Sequence, residues 1–488
     1  MQINSYQHTM QNRDSMRKPN ILFILIDDLG IKDLGCYGSS FYETPHLDRL
    51  ASEGMIFKQA YASCPVCSPT RASILSGKYP ARIGMTQWIG GDASGKLKDV
   101  PYLHYLPLEE KSIALTLKEN GYQTWHVGKW HLGDQDFFPE NHGFERNIGG
   151  CHQGSPHNGY FSPWDIEGLE NAEDGTYLTD FLTDRAIDLI ENREDRPFFM
   201  HLSHYAVHTP LNAPENLVRK YEEKARRMGL DSINPIEVGE HFWCLHKEHL
   251  KIERRTFQSH PIYAAMIENL DTNIGRTLLS IKEQGLENNT IVVFTSDNGG
   301  LSSAEGSPTC NAPYTEGKGW NYEGGTRVCQ LIKWPEEVRA SSECNQAVTS
   351  TDFYPTILEA CGLDLMPEQH RDGESLLPLL KESGALERKT IYWHYPHYSN
   401  QGGTPSSSCV YGDWKLIQFF EEDRFELYNL KDDPSEKMNL ADQEPDRLQE
   451  MSADLKDWQV QIEALIPEPN LEYSKLTKRP KVPNNSTV

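Results

Sequence analysis

Apolar runs in this chain are short. None of its 488 residues lies in a stretch approaching the ~18 apolar residues of a membrane span, so no membrane-crossing helix is expected. Residues 1–18 are polar and lack the apolar core of an export signal. The chain is therefore expected to be cytoplasmic, or periplasmic or secreted if an export signal is missing from it. Positive charge is in deficit, with 47 Lys and Arg against 71 Asp and Glu and a formal net charge of −24. That balance disfavours nucleic acid as a partner. The 10 cysteines are scattered and not spaced as a disulfide framework. What is present suits a folded, soluble protein: 38% hydrophobic residues, in a length sufficient for one large domain and a smaller one.

Asn20-Ile21-Leu22-Phe23-Ile24-Leu25-Ile26 is continuously apolar after its first residue. It reads as a strand buried on both faces, as in a parallel or mixed sheet under helices. It runs into Asp27-Asp28. Open α/β sheets place ligands beyond the carboxyl ends of their strands. Two adjacent carboxylates there repel unless a cation lies between them, and hard oxygen donors suit Ca²⁺ or Mg²⁺; the alternative is a solvated acidic turn. The same logic recurs at Thr290–Ser296, a buried strand running into Asp297-Asn298. Phe198–Ser203 is a third such strand, leading to His204 and His208. A shorter strand delivers Lys129 and His131 within Gly128-Lys129-Trp130-His131-Leu132-Gly133. Lysine offers a point charge, and histidine a group that exchanges protons near neutral pH.

The most informative stretch is Cys67-Ser68-Pro69-Thr70-Arg71-Ala72-Ser73-Ile74-Leu75-Ser76-Gly77. Pro69 suits a first helical turn, which places Cys67 just before a helix N-terminus. Free N–H groups there attract anions and lower a thiol pKa, and Arg71 adds a cation able to grip an oxyanion. Two simpler readings compete. Cys64-Pro65-Val66-Cys67 could be a redox pair or half a zinc site, but no second Cys-x-x-Cys exists in the chain. A thiol phosphatase would need cysteine six positions before the arginine, where Pro65 stands.

Cys-x-Pro-x-Arg followed by a short helix and Gly77-Lys78 resembles the signature of the sulfatase family. The resemblance continues through Gly128–Gly133, Asp297-Asn298 and Glu316-Gly317-Lys318-Gly319, and covers nearly everything from Pro19 to about Leu465. It implies an alkaline-phosphatase-like α/β fold: a large domain with a mixed, mostly parallel sheet between helices, and a small C-terminal domain with an antiparallel sheet and one helix. The expected divisions are a disordered tail at 1–18, the catalytic domain at 19–385, the C-terminal subdomain at 386–467 and an extended tail at 468–488. The resemblance further implies that Cys67 is oxidised to formylglycine (3-oxoalanine) by a formylglycine-generating or anaerobic sulfatase-maturating enzyme. It assigns Asp27, Asp28, Asp297, Asn298 and the modified Cys67 to one Ca²⁺. Arg71, Lys129, His131, His208 and Lys318 would surround the sulfate. Hydrolysis would proceed by attack of one hydroxyl of the formylglycine hydrate on sulfur. His208 or Lys318 would protonate the leaving alcohol, and His131 would deprotonate the second hydroxyl so that sulfate is expelled.

An acidic protein acting on an anionic ester needs a locally positive site, which these lysines, histidines and Arg71 are expected to supply. The spelling around Gly77–Thr86 and Gly128–Gly133 is similar to bacterial polysaccharide sulfatases, so the expected substrate is a sulfated carbohydrate, with a galactose-type unit favoured. Trp88, His152, His157 and His397 are candidates for a substrate rim. His204 and Arg327 are read as structural. His246 and His249, in a charged segment at 215–260, are read as the solvated face of a helix. The alternatives are a phosphonate or phosphate ester hydrolase on the same fold, and an inactive protein that binds sulfated glycans.

Overall fold

The structure is a computed structural model and describes residues 18–473. Asn20–Ile26 forms β1, buried along its whole length. Its side chains alternate between two cores: Ile21, Phe23 and Leu25 enter one, and Leu22, Ile24 and Ile26 the other. A strand covered on both faces favours apolar side chains in both directions, which explains the run Ile21–Ile26. Seven further strands complete the main sheet: β2 (Met55–Phe57), β3 (Gln123–Gly128), β4 (Arg146–Ile148), β5 (Phe198–His204), β6 (Thr290–Ser296), β7 (Gln330–Lys333) and β8 (Ser342–Cys344). Their spatial order is β8-β2-β7-β6-β1-β5-β3-β4. Only β7 runs antiparallel to its neighbours, so the sheet is mixed and mostly parallel, as expected.

Helix α1 (Pro45–Glu53) has Pro45 at its first position. Thr44 precedes it, but its hydroxyl is turned to Asp48 Oδ1, accepts from Gly35 N and does not cap the helix. The free N–H groups of His46 and Leu47 donate instead to Asp271, at 3.1 and 2.8 Å. A carboxylate from a helix packed alongside supplies two acceptors where a hydroxyl supplies one. Helix α2 (Cys67–Ser76) has every residue buried. Helix α3 (Pro261–Glu283), which carries Asp271, covers one face of the sheet.

The charged segment at 215–260 folds as a helix (Glu215–Arg227) followed by a hairpin of Ile236–His241 with Lys251–Arg255. His246 and His249 lie exposed at its tip, His246 within a short 3₁₀ turn (Leu245–Lys247) and His249 just beyond it, and not on one α-helical face. His246 Nε2 is 2.7 Å from Asn400 Oδ1. The hairpin is tied to the loop after β6 through Arg255 N to Ser302 O (2.9 Å) and Ala304 N to Glu253 O (3.1 Å).

Strands β9 (Thr390–Tyr395), β10 (Ser406–Tyr411), β11 (Trp414–Phe419) and β12 (Arg424–Asn429) form an antiparallel sheet against helix α4 (Pro445–Gln461). Buried Lys415 of β11 reaches Glu323 (2.9 Å) and Glu436 (3.1 Å). Trp393 Nε1 donates to Ala62 O at 2.7 Å. Lys98 N donates to Glu468 O, and Asn470 N to Lys96 O, at 2.8 and 2.7 Å. Of the two expected tails, residues 1–17 and 474–488 lie outside the described residues. Among the described residues no helix is long and apolar enough to cross a membrane.

Candidate active site

Strands β6, β1, β5 and β3 are parallel neighbours, so their carboxyl ends share one edge. Ile26 is level with Ser296 on one side and His204 on the other, and Gly128 is level with Ser203. The residues that follow these strands are therefore delivered to one place, although they lie far apart in sequence. Asp28 N donates to Asp297 Oδ1 at 3.3 Å, and Asn298 Nδ2 donates to Asp28 Oδ1 at 2.9 Å. Asp28 and His131 both sit in the left-handed region, at φ 58° and 57°. That conformation is uncommon outside glycine and is concentrated at functional sites.

Each carboxylate has a cation against it. Lys129 Nζ lies 2.7 Å from Asp27 Oδ2, and Lys318 Nζ 2.8 Å from Asp28 Oδ2. Arg71 holds Asp297 Oδ2 through Nε and Nη2, both at 2.8 Å. Its Nη1 donates to Lys129 O (2.9 Å) and Ser203 Oγ (2.7 Å). All of these side chains are buried. Burial pushes the Asp27 carboxyl up to about 8, with Lys129 opposing and Asp297 and Asp28 adding to the rise. Burial would raise Asp28 as well, but Lys318, His208 and Lys129 hold it well below the usual carboxylate range. Lys318 is held well above the usual lysine value, Asp28 outweighing the effect of burial. Burial brings His208 down to about 3 and His131 well below the usual imidazole value, so both are neutral near pH 7. With Asp27 ionised, three cations offset three carboxylates; with it protonated, as burial favours below about pH 8, the cluster carries one net positive charge.

Two buried oxygens in the cluster, Asp27 Oδ1 and Asn298 Oδ1, have no hydrogen-bond partner among the described residues. Asp27, Asp28 and His208 each offer a donor atom, all within 4.8 Å of one another. A divalent cation would satisfy such a set of hard oxygens and add positive charge to the cluster. Asp297 and Cys67 stand outside that tight trio, and Asp297 is turned onto Arg71.

Cys67 is the first residue of α2, one position inside the helix start expected from Pro69. Its Sγ lies 3.4 Å from His131 Nδ1. Burial pushes the thiol up, against Lys129 and Lys318, which lower it. The expected lowering at a helix N-terminus does not prevail, because the loss of water around a fully buried sulfur outweighs the nearby positive charge. His131 is fixed from behind: its N–H donates to Cys151 O at 3.1 Å, and Gly154 packs on its ring. A Cβ added at Gly154 would fall 2.5 Å from His131 Cε1.

The rim candidates are less uniform. His397 is fully buried, with Nδ1 2.6 Å from Asp99 and Nε2 2.8 Å from Thr86. It ties two loops together. Trp88 is partly buried against Cys64 and Val66, whereas His152 and His157 are exposed. His204 is fully buried, and neither ring nitrogen has a hydrogen-bond partner. Arg327 pairs with Glu323 at 3.0 Å, consistent with a structural role. Ser203 and Gly154 serve the site without having been singled out in the sequence. Neither belongs to a recognisable motif, and their positions are set by strand register and loop packing.

Comparison with known proteins places this geometry. Residues 19–363 match the family model described as Sulfatase, and residues 316–464 match that of the N-sulphoglucosamine sulphohydrolase C-terminal region. A sulfatase of Formosa agariphila is 31% identical over 89% of this chain and 86% of its own length. The N-acetylgalactosamine-6-sulfatase of Sus scrofa is 30% identical over 77% of this chain and 68% of its own. Among solved structures, Ps i-CgsB in complex with k-i-k-neocarrahexaose superposes with a TM-score of 0.73 at 27% identity, covering 91% of this chain and 93% of that one. Family match, fold and the motifs around Cys67 agree: the chain belongs to the sulfatase family and is a sulfuric ester hydrolase.

Proposed function

We propose that this sulfatase removes sulfate from a sulfated carbohydrate containing a galactose-type unit, using formylglycine formed from Cys67 and a bound Ca²⁺. The observation that carries the metal is the pair of unpartnered buried oxygens, Asp27 Oδ1 and Asn298 Oδ1, within a cluster of paired charges. Asp27, Asp28, Asp297, Asn298 and residue 67 would hold the ion, which supplies polarisation of the sulfate oxygens. The aldehyde hydrate supplies one hydroxyl for attack on sulfur and a second for release of sulfate.

The remaining work falls to the chain's own side chains. Arg71, Lys129 and Lys318 are held in fixed positions by Asp297, Asp27 and Asp28, so they can oppose charge on the sulfuryl oxygens without reorganising. His131, neutral and next to residue 67, can accept a proton there. Lys318 Nζ is 3.0 Å from His208 Nε2. The two form a short proton path on which either can serve the leaving oxygen. For the substrate class, N-acetylgalactosamine-6-sulfatase by its name and the neocarrahexaose complex of Ps i-CgsB support a sulfated sugar.

Co-expression with a maturating enzyme and peptide mass spectrometry should find Cys67 converted to the aldehyde. Cys67→Ala and Cys67→Ser should each lose about 10³-fold or more in turnover of an aryl sulfate. Full activity in either variant would overturn the mechanism. Preference for aryl phosphate over aryl sulfate would favour a phosphate ester hydrolase. A panel of sulfated mono- and oligosaccharides identifies the sugar.

A further inference from the structure

Beyond Asn298, residues Ala304, Glu305, Gly306 and Ser307 are all left-handed, at φ 60°, 49°, 86° and 44°. Such a run is sterically disfavoured for side chains with a Cβ and persists only where its surroundings impose it. Here the inserted hairpin does so: Ala304 N and Ser307 Oγ both bond to Glu253 O, and Arg255 Nε donates to Ser307 O at 2.5 Å. The turn presents Glu305, which is exposed. Gln401 Nε2 donates to Glu305 Oε1 at 2.6 Å, and Gln401 Oε1 in turn accepts from Ser399 Oγ at 2.7 Å. These two residues lie against Gly319, the neighbour of Lys318. A Cβ there would fall 2.0 Å from Ser399 Oγ and 3.0 Å from Gln401 Oε1. A chain of contacts thus runs from Gly319, the residue after Lys318, to an exposed carboxylate. Among the described residues, no hydrogen bond engages Glu305 Oε2.

We propose that Glu305, held by Gln401 against the Lys318–Gly319 segment, is a specificity residue that accepts a hydroxyl of the bound sugar and rejects a second anionic substituent at that place. This rests on the reading of the site as a carbohydrate sulfatase. A carboxylate accepts O–H donors and repels sulfate or carboxylate groups. A pocket built to strip sulfate by charge would otherwise draw in any neighbouring sulfate. Glu305 confines that attraction to one ester, so the substrate sugar carries a free hydroxyl beside the scissile sulfate.

The test compares kcat/KM for the best monosulfated sugar with that for the same sugar bearing a second sulfate on an adjacent carbon. Glu305→Gln keeps an acceptor but removes the charge, and should raise the disulfated-to-monosulfated ratio about tenfold, equivalent to ~1.4 kcal/mol. Glu305→Asp, which keeps the charge, should leave the ratio within about threefold of wild type. Should Glu305→Gln not fold, Glu305→Asn, which tolerates the left-handed region, gives the same readout. An unchanged ratio, or an equal loss on both sugars, would overturn the assignment. Absence of turnover by the matured wild-type protein on every sulfate ester would overturn the parent reading, and this one with it.

Discussion

Replacing Arg71 by methionine separates the electrostatics of the site from its architecture. Arg71 is buried, holds Asp297 through two nitrogens, and donates to Lys129 O and Ser203 Oγ. Removing one member of a buried ion pair costs about 3–5 kcal/mol, because the other charge is left without a partner. At about 2.1 cal/mol/K per residue over roughly 450 folded residues, that is a fall in Tm of about 3–5 °C. With Asp27 ionised, the cluster charge also changes from balanced to −1, and removing a positive charge beside a divalent ion favours binding of that ion. Calcium affinity should rise at least about tenfold. Turnover of an aryl sulfate should meanwhile fall about 10²–10³-fold, the usual cost of losing one preorganised charge-stabilising donor. Calorimetric titration of Ca²⁺ into the metal-free protein, together with kinetics and thermal unfolding, measures all three. Calcium should restore Tm by more in the variant than in wild type. Calcium affinity that fell along with turnover would refute the charge balance inferred here.

Two further outcomes are expected. Burial brings His204 down to about 4 from the usual 6.5. Between those values the unfolded chain binds a proton that the folded chain refuses, so stability falls as pH drops below about 6.5 and the loss levels off near 4. His142 and His394, also brought down to about 4, act in the same direction. His204→Leu should lessen the slope of unfolding free energy against pH by up to about 1.4 kcal/mol per unit, and an unchanged slope in urea titrations would count against it. Gly154→Ala drives a methyl group into the His131 ring. It should lower kcat at least about tenfold while leaving calcium affinity within about threefold of wild type. Normal kcat would show that Gly154 does not position His131.

The strands Asn20–Ile26, Phe198–His204 and Thr290–Ser296 were legible because a strand covered on both faces is predominantly apolar. The polar residues after the first and last stood out for the same reason: each buried run ends abruptly, in Asp27-Asp28 or Asp297-Asn298. What the sequence concealed depends on contacts between distant segments. The hairpin strand Ile236–His241 is mostly exposed and carries Glu, Gly and His, so it shows no alternation to read. The acceptor for the first N–H groups of α1 is Asp271, 225 residues from His46, and no local signal distinguishes it from Thr44. His397 was read as a candidate for the substrate rim; that Asp99 and Thr86 satisfy both its nitrogens and let it be buried has no local signal. The thiol of Cys67 was expected to be acidified by its helix; full burial, invisible in one dimension, reverses that.

β1 lies between β5 and β6, yet Asn298, just beyond β6, is 270 residues downstream of Asp28. A ribosome adding about 5–20 residues per second takes roughly 14–54 s to cover that distance. Throughout that interval one edge of this apolar strand has no neighbour, and the acids at its end have no counterpart. An N-terminal fragment stopping short of Thr290 would therefore expose a sticky edge and lack Asp297 and Asn298, so no such fragment would be a smaller working enzyme.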